Sequence, residues 1–419
     1  MTAATPPGSG TTEATPQVPG RQDMEAAVQV IHDNADRLFL WDYERDRGQL
    51  VTLYNKAMGS QWNSVTDLDW SIDVDPERLV AEQESPLLAV ARMAGTLPGS
   101  PLATWTEKEY TQLGIEMFKA SLSQFMHGEQ GAMMTAAKIV ETVPWIDAKY
   151  YASTQTMDEA RHTEVFAKYL RTKLGDAYPM SPFLKEQIWS LLEDPRWDIA
   201  YLGMQIVIES LALAAFGDML RRTQEPLLTK LLRYVMSDEA RHVAFGVLTL
   251  SEFYRDLSEI ELKERQEFLV DATLNSRARA TTPEVWERMG TTAEEVFPYI
   301  LQAAQKMKVN PAGGFARGFF AKLVPNVRKL GLLDANNGYL RERWGEAGLL
   351  EFEFADDTGS DYASYDAVAQ DRAAADAADA ADAADAADAA DAADAADAAD
   401  ATDATDAADA ADAAAPSGA

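Results

Sequence analysis

The chain contains no cysteine. Disulfides, thiolate zinc sites and iron–sulfur clusters of the usual cysteine-ligated kind are therefore excluded, and any redox cofactor must be held by oxygen and nitrogen ligands. A Gly-rich dinucleotide fingerprint is also lacking, so reducing electrons have to come from another molecule. Basic charge is scarce: 37 Lys and Arg face 68 Asp and Glu, for a net charge of −31. With no basic stripe to neutralise phosphates, the sequence predicts no nucleic-acid partner and no attraction to anionic lipid. Long apolar runs are missing too. The most apolar stretch, Ile199 to Phe216, is interrupted by Gln205 and Glu209 and is short for a bilayer span. Residues 1–20 are rich in Thr, Pro and Gly and hold no apolar core of a secretory signal. The expectation is a cytoplasmic protein without membrane contact.

What is present is helix. Hydrophobic residues make up 47% of the chain, ample for a core, and from Asp23 to about residue 350 they recur with helical spacing. Thr106 followed by Glu109 reads as a capping box that opens a helix to about Val143. Pro144 suits the first turn of a helix that runs to about Lys173, ahead of Gly175. Asp194-Pro195 opens another over roughly Trp197 to Thr223, and Pro226 a fourth to about Tyr254. The expected organisation is a disordered segment over 1–22, a helical domain over 23–352, and a linker with an acidic Asp/Ala tail over 353–419. Residues 371–419 carry fourteen Asp and one Arg, a charge of −13, which leaves −18 on the rest. From Asp376 to Asp412 an Asp stands at every third position. That spacing walks around a helix of 3.6 residues per turn, so no apolar face forms, and the tail reads as a solubilising repeat.

The chemistry lies in a repeated pentapeptide, Asp158-Glu159-Ala160-Arg161-His162 and Asp238-Glu239-Ala240-Arg241-His242. Each holds Glu-x-x-His on a predicted helix, where residues three apart reach the same point in space. One such motif is weak. Here, however, each copy has a Glu 30 residues upstream, on the preceding predicted helix: Glu129 before Glu159, and Glu209 before Glu239. The two copies are offset by 80 residues. Four helices thus supply four carboxylates and two imidazoles, the ligand set of di-iron carboxylate bundles. Four Glu neutralise two ferrous ions; without metal, burying them is very costly. Glu209 lies among Ile206, Ile208, Leu211 and Leu213, unlike a surface residue. His127, two residues from Glu129, points to the opposite side of its helix, and His32 has no ligand spacing. Trp62 and Trp70 are expected to be packing anchors.

These motifs resemble the ferritin-like di-iron superfamily, over roughly residues 105–255. Its members include hydroxylase subunits of bacterial multicomponent monooxygenases, the small subunit of ribonucleotide reductase, and R2-like oxidases. The resemblance implies an all-α, ferritin-like four-helix bundle with additional flanking helices. It assigns Glu129, Glu159 and His162 to one iron and Glu209, Glu239 and His242 to the other, with one or two Glu bridging. It also implies that Asp238 supports His162 and Asp158 supports His242, with Arg161 and Arg241 alongside. A mixed manganese/iron pair is allowed. No subgroup signature is complete. The radical tyrosine of the reductase is replaced by Phe166, the third histidine of arylamine oxygenases by Val235, and the monooxygenase threonine by Leu213. The crosslinking pair of R2-like oxidases is replaced by Met204 and Gly131, and the extra desaturase glutamate by Asp158.

The function that follows is an O2-dependent monooxygenase or oxidase acting on a small organic substrate, with electrons from an external reductase or ferredoxin. Ala132, Met133, Gln205, Ile208, Ala212, Leu213 and Phe216 are small or apolar and sit on the metal-bearing helices. They suggest a greasy pocket for a hydrocarbon or aromatic group. The alternative is a ferroxidase or iron-storage role, with a scaffold that merely kept the fold behind it. A homodimer is one assembly such a chain could form.

Overall fold

The computed structural model describes residues 29–83, 85–274, 283–310, 313–355, 366–375 and 377. The expected N-terminal segment 1–22 and nearly all of the Asp/Ala repeat lie outside them. Among the described residues the regular elements are helices, with no strand. In chain order they are α1 (Gly48–Gly59), α2 (Pro76–Glu82), α3 (Pro86–Gly95), α4 (Glu107–Thr142), α5 (Ile146–Tyr169), α6 (Pro182–Glu193), α7 (Trp197–Tyr201), α8 (Glu209–Arg222), α9 (Pro226–Phe253), α10 (Glu259–Leu274), α11 (Pro283–Arg288), α12 (Ala293–Met307), α13 (Gly313–Lys329) and α14 (Ala335–Glu346). A last helix, α15, spans 367–375.

Four rods form the central bundle: α4, α5, the composite rod from Trp197 to Arg222, and α9. The α4–α5 pair makes the most extensive contact, and α9 packs against both α5 and α8. This is a four-helix bundle. The remaining helices cover it: α13 lies on α8, α14 on α10, α2 on α4, and α1 on α5.

Local chemistry sets the ends of the rods. Thr106 caps α4, and the Glu109 carboxylate accepts the Thr106 backbone N–H at 2.7 Å, completing the capping box. Pro144 has a different role from the one expected. It forces the preceding Val143 into extended backbone (ψ 138°), which ends α4, and α5 begins only at Ile146 after the cap residue Trp145. Beyond α5 the chain continues through a π-helical turn, Leu170–Leu174, and stops at Gly175, whose φ of +93° favours glycine. Glu225 caps α9 by accepting the N–H groups of Leu227 and Leu228. The rod Trp197–Arg222 is long and apolar enough to cross a membrane by composition, yet most of it is buried inside the bundle.

The chain returns to the body later than its composition suggested. Within the stretch expected to be linker and tail, Ala367 and Val368 are 0% and 2% exposed and join the core cluster around Trp62, Tyr234 and Phe166. The Asp spacing argument concerns the repeat from Asp376, which lies almost wholly outside the described residues. The preceding Asp366-Ala367-Val368 has two adjacent apolar residues, enough to seat one turn. A chain ending after Ala375 is expected to melt at the same temperature as the full chain. One ending after Tyr365 should melt about 2–6 °C lower, because it loses the burial of Val368 and Ala367. Equal melting of all three in differential scanning calorimetry would show that the contact contributes nothing to stability.

Candidate metal centre

The bundle brings Glu129 (α4), Glu159 and His162 (α5), Glu209 (α8), and Glu239 and His242 (α9) to one place in the core. All six are at most 5% exposed. They form two overlapping sets whose ligand-type atoms lie within 4.8 Å of one another: Glu129, Glu159, His162 and Glu239, and Glu159, Glu209, Glu239 and His242. Glu159 and Glu239 belong to both. His162 Nδ1 stands 3.3 Å from Glu159 Oε2, 3.0 Å from Glu239 Oε1 and 3.4 Å from Glu129 Oε2. His242 Nδ1 stands 3.0 Å from Glu159 Oε1, 2.9 Å from Glu239 Oε2 and 3.8 Å from Glu209 Oε1. Each shared carboxylate therefore turns one oxygen toward each imidazole, the disposition of a bridge between two ions.

The opposite ring nitrogens face outward. His162 Nε2 lies 2.9 Å from Asp238 Oδ2, and His242 Nε2 lies 3.3 Å from Asp158 Oδ2. Placing the proton on Nε2 leaves Nδ1 with its lone pair directed at the Glu cluster, the tautomer a metal ligand requires. Around the two Asp, Arg161 donates to Asp158 Oδ1 at 2.5 Å and to Asp238 Oδ2 at 3.1 Å, while Arg241 pairs with Asp238. Two Asp and two Arg make this outer layer neutral, so the four Glu inside it need their own counter-charge.

Glu209 is positioned by an irregular rod. Residues Leu202–Ile208, immediately before it, are π-helical, a feature that often marks functional sites. Close packing accompanies the wider turn. A side chain at Gly203 would collide with Leu191, and one at Gly246 of α9 would meet Gln205 Cβ at 2.5 Å.

The electrostatics express the demand for cations. Burial drives Glu129 and Glu209 well above the usual carboxylate range, and the neighbouring Glu239 adds to it. Burial also acts upward on Glu159 and Glu239, but the two His outweigh it and hold both below that range. His162 Nδ1, Glu159 Oε2 and Glu239 Oε1 are buried without a hydrogen bond, although they sit within about one ion's coordination reach of each other. Two divalent ions would satisfy these atoms and neutralise the four carboxylates. The residues fit a di-metal centre.

No family model matches this chain, and no curated protein matches it. Among solved structures it is similar to two variants of an R2-like ligand-binding oxidase with an anaerobically reconstituted Mn/Fe cofactor. They share 15% and 16% identity with it, over 69% of this chain and 94% of theirs, at a TM-score of 0.42 for each. An R2-like ligand-binding oxidase with an aerobically reconstituted metal cofactor after photoconversion matches at 15% identity, over 76% of this chain and 96% of that one, at a TM-score of 0.38.

Five of the seven residues expected to line a pocket fall into two packing clusters. Ala132 packs with Leu191, Met204 and Ile208. Ala212, Leu213 and Phe216 belong to the cluster containing Phe125 and Phe166, with Phe216 4.8 Å from Phe125 and 5.6 Å from Phe166 between ring centroids. Met133 is half-buried. Gln205 is fully buried, and neither of its amide atoms has a partner. His127 contacts the Tyr178 carbonyl at 3.0 Å, and His32 is exposed.

Three residues near the site were not anticipated. Gln155, one turn before Glu159, donates to Glu159 Oε1 at 3.0 Å and Glu209 Oε1 at 3.3 Å; its i−4 spacing was a usable sign. Gln61 donates to Asp158 at 2.9 Å and accepts from Arg161 at 2.8 Å. Trp62, expected to be only a packing anchor, donates to Asp238 Oδ2 at 2.8 Å and stacks 6.3 Å from the His162 ring. Nothing local in the sequence marks Gln61 or Trp62, about 100 residues from the first motif. Trp70 is an anchor, donating to the Ser64 carbonyl at 2.6 Å.

Changing Asp238 to Asn keeps the shape but removes the charge that holds His162 in its tautomer. Affinity for the ion beside His162 is expected to fall by about 10–100-fold, with a smaller effect on the ion beside His242. Anaerobic titration with ferrous ion resolves the two events; equal weakening of both would contradict the assignment of Asp238 to one half.

Proposed function

We propose that this chain is a non-haem di-iron oxidoreductase that uses O2 to oxidise an apolar or aromatic organic molecule in the cytoplasm, with electrons from a separate reductase or ferredoxin. The observation that supports it most is the way Glu159 and Glu239 each direct one oxygen to His162 and the other to His242. Such sharing serves two adjacent ions better than isolated ones. An oxygen- and nitrogen-donor set of this kind suits iron, and equally a manganese/iron pair. Bound there, the ions would supply the reducing equivalents and Lewis acidity that O2 activation needs.

The chain's own residues do the rest. In this reading Glu129 and Glu209 complete one half each. Asp238 and Asp158 keep protons on the outward imidazole nitrogens. Gln155 steadies the Glu209 carboxylate, and its counterpart 80 residues on is Val235, so the two halves are chemically unequal. Phe125, Phe166 and Phe216 form an apolar wall that excludes water from the site.

Iron storage is the competing reading, and it needs a path of free carboxylates for released iron. The carboxylates next outward from the ligands, Asp158 and Asp238, are both engaged by arginine, which favours retention. Reduced protein loaded with two ferrous ions is therefore expected to consume about one O2 per pair and stop, resuming when a reductant and an electron carrier are added. Sustained uptake with excess ferrous ion and a growing ferric mineral would instead establish the storage role.

A further inference from the structure

The six ligand residues occupy one level of the bundle, and the levels on either side of it differ in chemistry. The starts of α5 and of the rod Trp197–Arg222 lie at the same end as the close of α9, because Trp145, Trp197 and Phe253 stack there with ring centroids 4.7–6.4 Å apart. Towards that end, one turn from the ligands, stand Ala132 on α4, Gln155 on α5, Gln205 on the rod and Gly246 on α9. Towards the other end the corresponding residues are Phe125, Phe166, Leu213 and Val235, which pack in one apolar cluster. One side of the centre is thus apolar throughout. The other carries two carboxamides beside two of the smallest residues.

The two amides are used differently. Gln155 Nε2 donates to Glu159 and Glu209, which leaves only its carbonyl oxygen without a partner. Gln205 has no such duty. Its side chain is completely buried, and among the described residues neither amide atom finds a hydrogen bond. An added Cβ at Gly246 would lie 2.5 Å from Gln205 Cβ. The side chain is therefore held between the rod and α9, one turn along from Glu209 on the one and from His242 on the other. Burying a carboxamide unpaired is unfavourable, and such a group calls for a bound molecule. The level opens outward on the side of α4 and α8. Glu129 and Glu209 are 5% and 2% exposed, whereas the other four ligands are at 0%. Beside them Met133 and Ile208 are half-buried, and Ile208 packs in the cluster of Ala132.

We propose that Gln205 anchors an uncharged hydroxyl or carboxamide group on the organic molecule that reaches the metal centre, with the molecule's apolar body against Ala132 and Ile208. The class of ligand follows from what this level offers. Gln205 supplies an acceptor oxygen and an N–H donor, and Gln155 a further acceptor oxygen. A hydroxyl or carboxamide both donates and accepts, so it satisfies them. A carboxylate has no proton for either carbonyl oxygen and would come up against the Glu cluster. An ammonium would leave the Gln205 N–H unpaired. The proposal rests on the oxidoreductase reading and narrows it, from any apolar molecule to one with a neutral polar end.

The test uses benzyl alcohol, toluene and benzoate, each titrated calorimetrically under argon into the full chain loaded with two ferrous ions. Benzyl alcohol is expected to bind about tenfold more tightly than either of the others. In Gln205→Met, which keeps the length of the side chain, that preference over toluene disappears. The same variant without ligand is expected to melt no lower than the unaltered protein, because an unpaired amide has been removed. Equal binding of alcohol and toluene, tightest binding of benzoate, no binding of the alcohol, or a preference that survives in Gln205→Met overturns the proposal. So does a fall of several degrees in melting temperature, which would make Gln205 a packing residue. O2 uptake by the same samples separates the two ideas. A protein that stops after one O2 per pair without discriminating among the probes loses only the Gln205 anchor. One that discriminates as expected but mineralises iron loses only the oxidoreductase reading.

Discussion

Four glutamates in the middle of a helical bundle impose a charge requirement that the surrounding architecture is built to meet. Moving a carboxylate out of water costs roughly several kcal/mol even after relaxation, and here Glu129, Glu159, Glu209 and Glu239 are buried together. The nearest arginines cannot compensate, because Arg161 and Arg241 are already committed to Asp158 and Asp238. Neutrality is thus divided into two shells. The outer one closes on itself with two Asp and two Arg, and the inner one is left with four carboxyl groups and two inward imidazole nitrogens. Until cations arrive, burial pushes the Glu129 and Glu209 carboxyls toward their neutral form. Two divalent cations balance the inner shell. The long helices, their caps and the π-helical stretch before Glu209 all serve to hold this inner shell in register.

Much of this was readable in the sequence because the centre is built from local periodicity. Glu-x-x-His on a helix fixes two ligands by geometry alone, and the 30- and 80-residue spacings place the remaining Glu on neighbouring rods. The capping box at Thr106 and the helix start at Pro226 were legible for the same reason: they depend on residues three or four apart. What was not legible depends on the tertiary fold. Gln61 and Trp62 enter the outer shell from a distant turn. The rod is π-helical over Leu202–Ile208, just before Glu209, where apolar spacing suggested a regular helix. Pro144 turned out to end α4 because its effect falls on the residue before it. The docked turn at Ala367 and Val368 was hidden beside a repeat whose composition dominates the whole segment.

The two halves of the centre are related by the sequence repeat but are not equivalent. His162 is backed by Asp238 and Trp62, while His242 is backed by Asp158 and Gln61. Gln155 touches Glu209 from one side, and Val235 stands at the repeated position. The differences all lie in the layer around the ligands, where hydrogen bonds tune basicity and order. An unsymmetrical environment of this kind gives two ions different affinities and different access to the surface. On the Trp62 side, Ala367 and Val368 join the same buried cluster as Trp62.

The central claim is that the shared carboxylates Glu159 and Glu239 hold two ions side by side. Anomalous diffraction from crystals grown anaerobically with ferrous ion tests it directly. Two peaks about 3.5–4 Å apart are expected, one next to His162 Nδ1 and the other next to His242 Nδ1, with Glu159 and Glu239 spanning both. A single peak, or ions bound away from these six side chains while the core stays empty, would contradict it.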